Sequence, residues 1–302
     1  MLLRNLLCYQ SSRLFSRSIS IAKIEKPTLK NINVNEISSK VFNVELNRAK
    51  QLNTFTPEFW LELKSAINFL SQYSGCRSIV LSAAGKSFSA GIDLKETFTQ
   101  ISALSNDPTL DSARKARILM DTLKGFQDCY SILEKCSRPI ISTIHSHCIG
   151  AGVNMICSTD IRYASKDTIF SIKEVDVGMT ADMGTLNRIQ KIVGNDSLAR
   201  ELSYTGRDFN VDEALKLGLI SKIFDNKNDC YDGAVETAKM IAEKSPIGVQ
   251  GTKVVLNHAR NHSIEDSLEF IKIWNASQLL TEDLEIAAKS VLTKKKVVFK
   301  DV

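Results

Sequence analysis

What this chain lacks narrows its chemistry before any motif is considered. No apolar run approaches the length that a membrane-spanning helix needs. The net charge of +5 is modest and sits partly at the two ends, so it carries no nucleic-acid signature and fits an ordinary solvated surface. Seven cysteines (Cys8, Cys76, Cys129, Cys136, Cys148, Cys157 and Cys230) form no C-x-x-C pair, and their number is odd. Buried free thiols in a reducing compartment are the expectation, not a disulfide framework. Cys148 has His145 and His147 as neighbours, but a strand end points alternate residues apart, so a nucleophile–base pair is not expected there. His258 and His262 have the i,i+4 spacing of a metal pair but no third ligand nearby, and no metal site is expected. No Ser–His–Asp arrangement, phosphate loop or tandem repeat is evident.

What is present begins with residues 1 to 25. Arg4, Arg13, Arg17 and Lys23, several serines, no acid before Glu25 and a leucine-bearing helical face read as a mitochondrial transit peptide. The C-terminus, Phe299-Lys300-Asp301-Val302, is no peroxisomal signal of the S-K-L type.

From residue 26 the pattern is α/β. The stretch 26–41 reads as a polar connector with an edge strand. Residues 40–46, 78–82, 140–144, 161–164 and 168–172 read as strands. A helix is predicted from Pro57 to about Ser71, capped by Thr56, with Phe59, Leu63, Ile67 and Leu70 on one face. Between Leu94 and Cys136 lies a charged, partly helical segment broken at 105–111. Beyond Asn226 only helical patterns remain. The division expected is therefore a core over 26–225 and a helical subdomain over 226–302.

Two small-residue turns follow strand-like runs, Ala90-Gly91-Ile92 and Gly150-Ala151-Gly152. A strand, a Gly turn and a helix start present free N–H groups to a negative oxygen. Glu174 and Asp182 follow, eight residues apart with Gly178 between them, so only a loop can bring them together. If they meet in an apolar pocket, like charges push one of them to hold a proton while the other acts as a base.

The segments SFSAGIDL (87–94), RPIISTIHSHCIGAGV (138–153), DIRYASKDTIFSIKEVDVGMTADMGTLNRI (160–189) and TGRDFNVDEALKLGLI (205–220) resemble the enoyl-CoA hydratase/isomerase family, the crotonase fold. With a weaker start at NRAKQLNTFTPEFW (47–60), the likeness runs from about residue 40 to 295. Within the family it is greatest to the dienoyl-CoA isomerases, on KEVDVG followed by ADMGTL. The resemblance implies a crotonase-type spiral of strand–strand–helix turns and C-terminal helices that pack a homotrimer or homohexamer. It implies a thioester substrate of which coenzyme A is a part, with no separate cofactor. By matching positions, the backbone N–H groups of Ile92 and Ala151 would hold the thioester oxygen, with Ala90, Gly91, Asp93 and Leu94 around it. Glu174 and Asp182 would be the acid/base pair. Arg48, Lys86, Lys95 and Lys253 would be candidates for the phosphate end. Asn154 stands where the family usually has a carboxylate, and is expected only to orient its neighbours. A hydratase or a single-double-bond isomerase, and a binding module without turnover, are the alternatives.

Overall fold

The computed structural model describes residues 25–302. In chain order the strands are β1 (Ile32–Ser38), β2 (Val41–Leu46), β3 (Ser78–Ala83), β4 (Ile140–Ile144), β5 (His147–Ile149), β6 (Ile161–Ser165), β7 (Ile169–Ser171), β8 (Phe209–Asn210) and β9 (Lys222–Phe224). The helices are α1 (Pro57–Gln72), α2 (Leu94–Ser105), α3 (Ser112–Lys135), α4 (Ala151–Ile156), α5 (Thr185–Ile192), α6 (Asp196–Thr205), α7 (Val211–Leu217), α8 (Lys227–Ala242), α9 (Pro246–Ala259), α10 (Ile264–Gln278) and α11 (Glu282–Thr293). No helix of the described residues is long and apolar enough to cross a membrane.

Two sheets organise the chain. The larger runs β1-β2-β3-β4-β6-β9 and is parallel except for the β1–β2 hairpin. Strands β3 and β4 are buried at every position, which matches their unbroken apolar and small-residue runs. The smaller sheet runs β5-β7-β8. It is extended by single bridges, Ser89 to Cys148 and Phe55 to Ile92. Three times the chain leaves a strand of the large sheet, crosses to the small sheet, and then turns away. After β3 it passes Ser89 and reaches Gly91. After β4 it passes β5 and reaches Gly150. After β6 it passes β7 and reaches Glu174. Neighbouring strands lie about 4.8 Å apart, so the three turns are stacked side by side at one edge of the small sheet.

Helix α1 is built as its sequence predicts. Thr56 accepts the Phe59 N–H, Pro57 opens the first turn, and Phe59, Leu63, Ile67 and Leu70 are fully buried. Each of those side chains contributes roughly 1.5–3 kcal/mol by leaving water. The connector at 26–41 carries a seven-residue edge strand, β1. The expected boundary at 225 does not coincide with packing. Helix α8 lays Cys230, Ala234, Ala238 and Ala242 against Val41, Val80, Ile141 and Tyr163 of the large sheet. The last residues also return to the core: Arg77 donates to the Phe299 carbonyl at 2.6 Å and to Asp301 at 2.9 Å. Residues 1–24, which hold nearly all of the predicted transit peptide, lie outside the described residues.

Candidate active site

The stacked turns form the floor of a cavity of about 370 Å³. Gly91 has φ +96°, and a Cβ placed on it would sit 4.0 Å from the Ala151 nitrogen. Gly150, at φ +47° and ψ −107°, accepts this turn because it has no side chain. Its own N–H is spent on the Ser171 carbonyl at 2.8 Å, which pins the turn to β7. The N–H groups of Ile92 and Ala151 are different. Among the described residues neither donates to a protein acceptor, and both residues line the cavity. Two converging donors at a developing negative oxygen are the arrangement that stabilises an enolate.

The carboxylates come from the third turn and the loop after it. Glu174 lies in a short 3-10 turn, Lys173–Val177, and its Oε1 is 3.5 Å from the point where a Gly150 Cβ would be. Asp182 lies three residues before α5, and its carbonyl accepts from the Gln127 side chain at 2.8 Å. Both line the same cavity, so the loop joins what the sequence separates. Burial raises the Glu174 carboxyl above its ordinary range, with a smaller contribution from the negative charge of Asp182. The hydrogen bond from Asn154 opposes that rise. Burial raises the Asp182 carboxyl as well. Two carboxyls with raised affinity for protons, facing one apolar cavity, can exchange protons with a bound carbon skeleton.

Asn154 is 1 % exposed and engaged on three sides. Its amide donates to Glu174 Oε1 at 2.9 Å and to the Gly150 carbonyl at 3.2 Å, and its oxygen accepts the Thr185 N–H at 2.7 Å. Ala90 and Leu94 line the cavity, but Asp93 does not; it caps α2 by accepting the Glu96 N–H. Arg48 is likewise a brace. Its guanidinium donates to the Thr54 carbonyl at 2.6 Å and pairs with Asp93 at 3.6 Å. Lys253, expected at the phosphate end, is buried and held by the Leu133 and Arg138 carbonyls and by Asp160 at 2.7 Å. It closes the end of α3 against the core and does not reach the cavity. Lys86 and Lys95 are exposed, and among the described residues neither ammonium has a protein acceptor.

Sequence reasoning missed the roof. Ile101 and Leu104 of α2, and Ile118, Leu119 and Phe126 of α3, line the cavity opposite the turns. The available signal was their helical spacing on otherwise charged segments. The thiols behave as expected of buried groups: Cys148 is fully buried, and burial holds it well above the usual thiol range. His145 is pushed down to about 4 by burial and by Lys227 nearby, so it stays neutral. Among the described residues no cluster of three His, Cys, Asp or Glu side chains is placed to hold a metal.

The fold is that of the crotonase class. The family model for enoyl-CoA hydratase/isomerase matches residues 36–301, and the chain belongs to that family. It is 40% identical over 264 residues to the mitochondrial delta(3,5)-delta(2,4)-dienoyl-CoA isomerase of Mus musculus, covering 87% of this chain and 80% of that one. It is also 40% identical to the peroxisomal protein of the same name from Arabidopsis thaliana, over 85% of this chain and 92% of the relative. Among solved structures, an enoyl-CoA hydratase from Bacillus anthracis superposes with a TM-score of 0.80 at 22% identity, over 90% of this chain and 99% of that one.

Proposed function

We propose that this chain is an isomerase that converts 3,5-dienoyl-CoA thioesters to 2,4-dienoyl-CoA thioesters in the oxidation of unsaturated fatty acyl chains. The observation that carries the reading is the pair Glu174 and Asp182 facing one cavity beside the free N–H groups of Ile92 and Ala151. The reaction removes a proton at C2 and adds one at C6, at opposite ends of the shifting π system. One fixed carboxylate serves both ends poorly; one charged and one protonated carboxyl serve them well. The dienolate between the two steps places its negative oxygen on the two N–H groups. Coenzyme A enters as part of the substrate, with Lys86 and Lys95 as the exposed cations for its phosphates. Arg48 and Lys253 are left out of that role by their internal partners. Hydration would call on a second carboxylate in α4. Position 154 holds an amide instead, and its polar atoms are already engaged.

Ultraviolet absorbance tests the reading. A 3,5-dienoyl-CoA should gain the absorbance of a conjugated dienoyl thioester on adding the protein. No gain, together with loss of absorbance from a 2-enoyl-CoA, would replace isomerase by hydratase.

Assembly and location follow the same reading. Helices α10 and α11 bury only Ser267 and Asp283 within the chain, while Leu268, Ile273, Leu279 and Leu284 are exposed. Those exposed apolar side chains support a homotrimer or a homohexamer. Mouse, rat and human relatives are named mitochondrial and the plant one peroxisomal. With the basic, acid-free residues 1 to 24, this supports import into the mitochondrial matrix. Light scattering at micromolar concentration and mass spectrometry of the mature N-terminus test the two; a monomer, or a chain that begins at Met1, overturns them.

A further inference from the structure

We propose that Asn154 is a positioning residue that holds Glu174 by its Oε1, fixes the orientation of that carboxyl beside the Gly150 turn and favours its charged form by donating to it. The inference rests on the isomerase reading and adds the device that orients its base and keeps it charged. The orientation of the Asn154 amide is set by its neighbours. The backbone N–H of Thr185 can only donate, so the Asn154 atom 2.7 Å from it is the oxygen. The nitrogen then faces two acceptors, the Gly150 carbonyl at 3.2 Å and Glu174 Oε1 at 2.9 Å. Because Oε1 accepts there, a proton carried by Glu174 resides on Oε2. That oxygen is buried and has no hydrogen-bond partner among the described residues.

The same side chain spans three elements. Asn154 belongs to α4, Glu174 to the 3-10 turn, and Thr185 opens α5 directly after Gly184, whose lack of a side chain leaves that helix without a cap of its own. The Asn154 oxygen therefore caps α5 from outside and ties the Asp182 loop to the Glu174 turn. An aspartate at this position would keep the Thr185 contact but place a second anion against Oε1. The other titratable groups near Glu174 leave the field to residue 154 and Asp182. Tyr130 of α3 is fully buried, and burial raises its hydroxyl far above neutrality. Cys157, after α4, is pushed up to about 11 by burial. Lys173, on the same turn, is paired at 3.2 Å with both Asp176 and Asp208.

The experiment compares wild type, Asn154→Asp and Asn154→Ala. Three quantities are measured: the pH dependence of kcat/KM with a 3,5-dienoyl-CoA, the melting temperature, and the carbon-13 titration of labelled glutamate carboxyls. The Glu174 signal is assigned by its loss in Glu174→Gln. A base must be charged to accept a proton, so activity falls as pH drops through its pKa. Asn154→Asp should move that acidic limb, and the Glu174 titration with it, upward by about one pH unit or more. Asn154→Ala should move both in the same direction by less, and it decides the matter if the aspartate variant does not fold. A lowered melting temperature with superimposable limbs and carboxyl titrations in all three proteins would make Asn154 a purely structural residue and overturn the proposal. Absence of isomerisation in the wild type would count against the isomerase reading alone, because the carboxyl titration needs no turnover.

Discussion

The floor and the roof of the cavity are built on different principles. The floor is three turns locked at the edge of a parallel ladder, with Ala151 and Asn154 almost wholly buried. The roof is α2, which buries no residue, and the first two-thirds of α3, whose buried residues (Cys129, Tyr130 and Leu133) all lie near its end. The floor, with the loop after its third turn, carries the groups proposed to meet the reacting atoms, Ile92, Ala151, Glu174 and Asp182. The roof carries Leu94, Ile101, Ile118 and Leu119, each at least 38 % exposed although each lines the cavity. The two N–H donors and Glu174 sit on turns at strand ends, where holding them needs no reorganisation during the reaction, and Asp182 sits on the loop that follows. Groups that only shelter an acyl chain sit on helices with few buried contacts, the low end of local stability. Rate should therefore be decided by the floor, and affinity for long chains by the roof.

The strongest way to break this division is to remove a proton carrier from the floor. Glu174→Gln and Asp182→Asn should each lower kcat by roughly two to four orders of magnitude with little change in KM, the usual worth of an acid/base group. Steady-state kinetics on a 3,5-dienoyl-CoA measure it. Near-full activity in Asp182→Asn would end the two-carboxylate scheme and leave Glu174 to act alone, as in a simple isomerase.

A smaller effect should come from disturbing the turn without removing any polar group. Gly150→Ala introduces a Cβ with only ordinary contacts, the nearest being Glu174 Oε1 at 3.5 Å. The cost is backbone strain at φ +47°, about 1–3 kcal/mol of stability. If the turn yields, the Ala151 N–H moves off the oxyanion, and kcat should fall roughly tenfold to a hundredfold. Thermal melting and kcat measured on one preparation separate the two consequences. An unchanged kcat would mean that this turn does not aim the donor.

Strands β1, β2, β3, β4, β6 and β7, helix α1 and both Gly turns were legible in the sequence because local rules form them: β-branched runs, a Thr-Pro cap, and glycine where φ is positive; β5, β8 and β9, of two or three residues each, were not. The meeting of Glu174 with Asp182 was legible only through family likeness, since no helix or strand period relates them. The phosphate-end assignments of Arg48 and Lys253 failed for a related reason. The partners of Lys253 (Leu133, Arg138 and Asp160) are about a hundred residues away, and nothing near Lys253 announces them. Helix α8 shows the same limit. Ala234, Ala238 and Ala242 spell a helix face, but not that the face lies on the sheet. Asn154 was expected to orient its neighbours, but its link to Thr185 depends on α4 and α5 meeting in space and could not be read.

The smallest expected effect tests the roof. Leu119 is 38 % exposed, so its replacement by alanine should change stability by less than about 0.5 kcal/mol. A bound acyl chain lying against it would lose contact with part of a leucine side chain, and each buried CH₂ is worth about 0.8 kcal/mol. KM for a long 3,5-dienoyl-CoA should then rise roughly three- to tenfold, with kcat unchanged, because the contact is the same in ground and transition states. The shortest 3,5-dienoyl-CoA ends near the turns and should show almost no change. Chain-length series of wild type and Leu119→Ala, assayed side by side, read this difference directly. An equal rise in KM at every chain length would place Leu119 on the thioester side. A fall in kcat would mean that the helical roof, as well as the floor, sets the geometry of proton transfer.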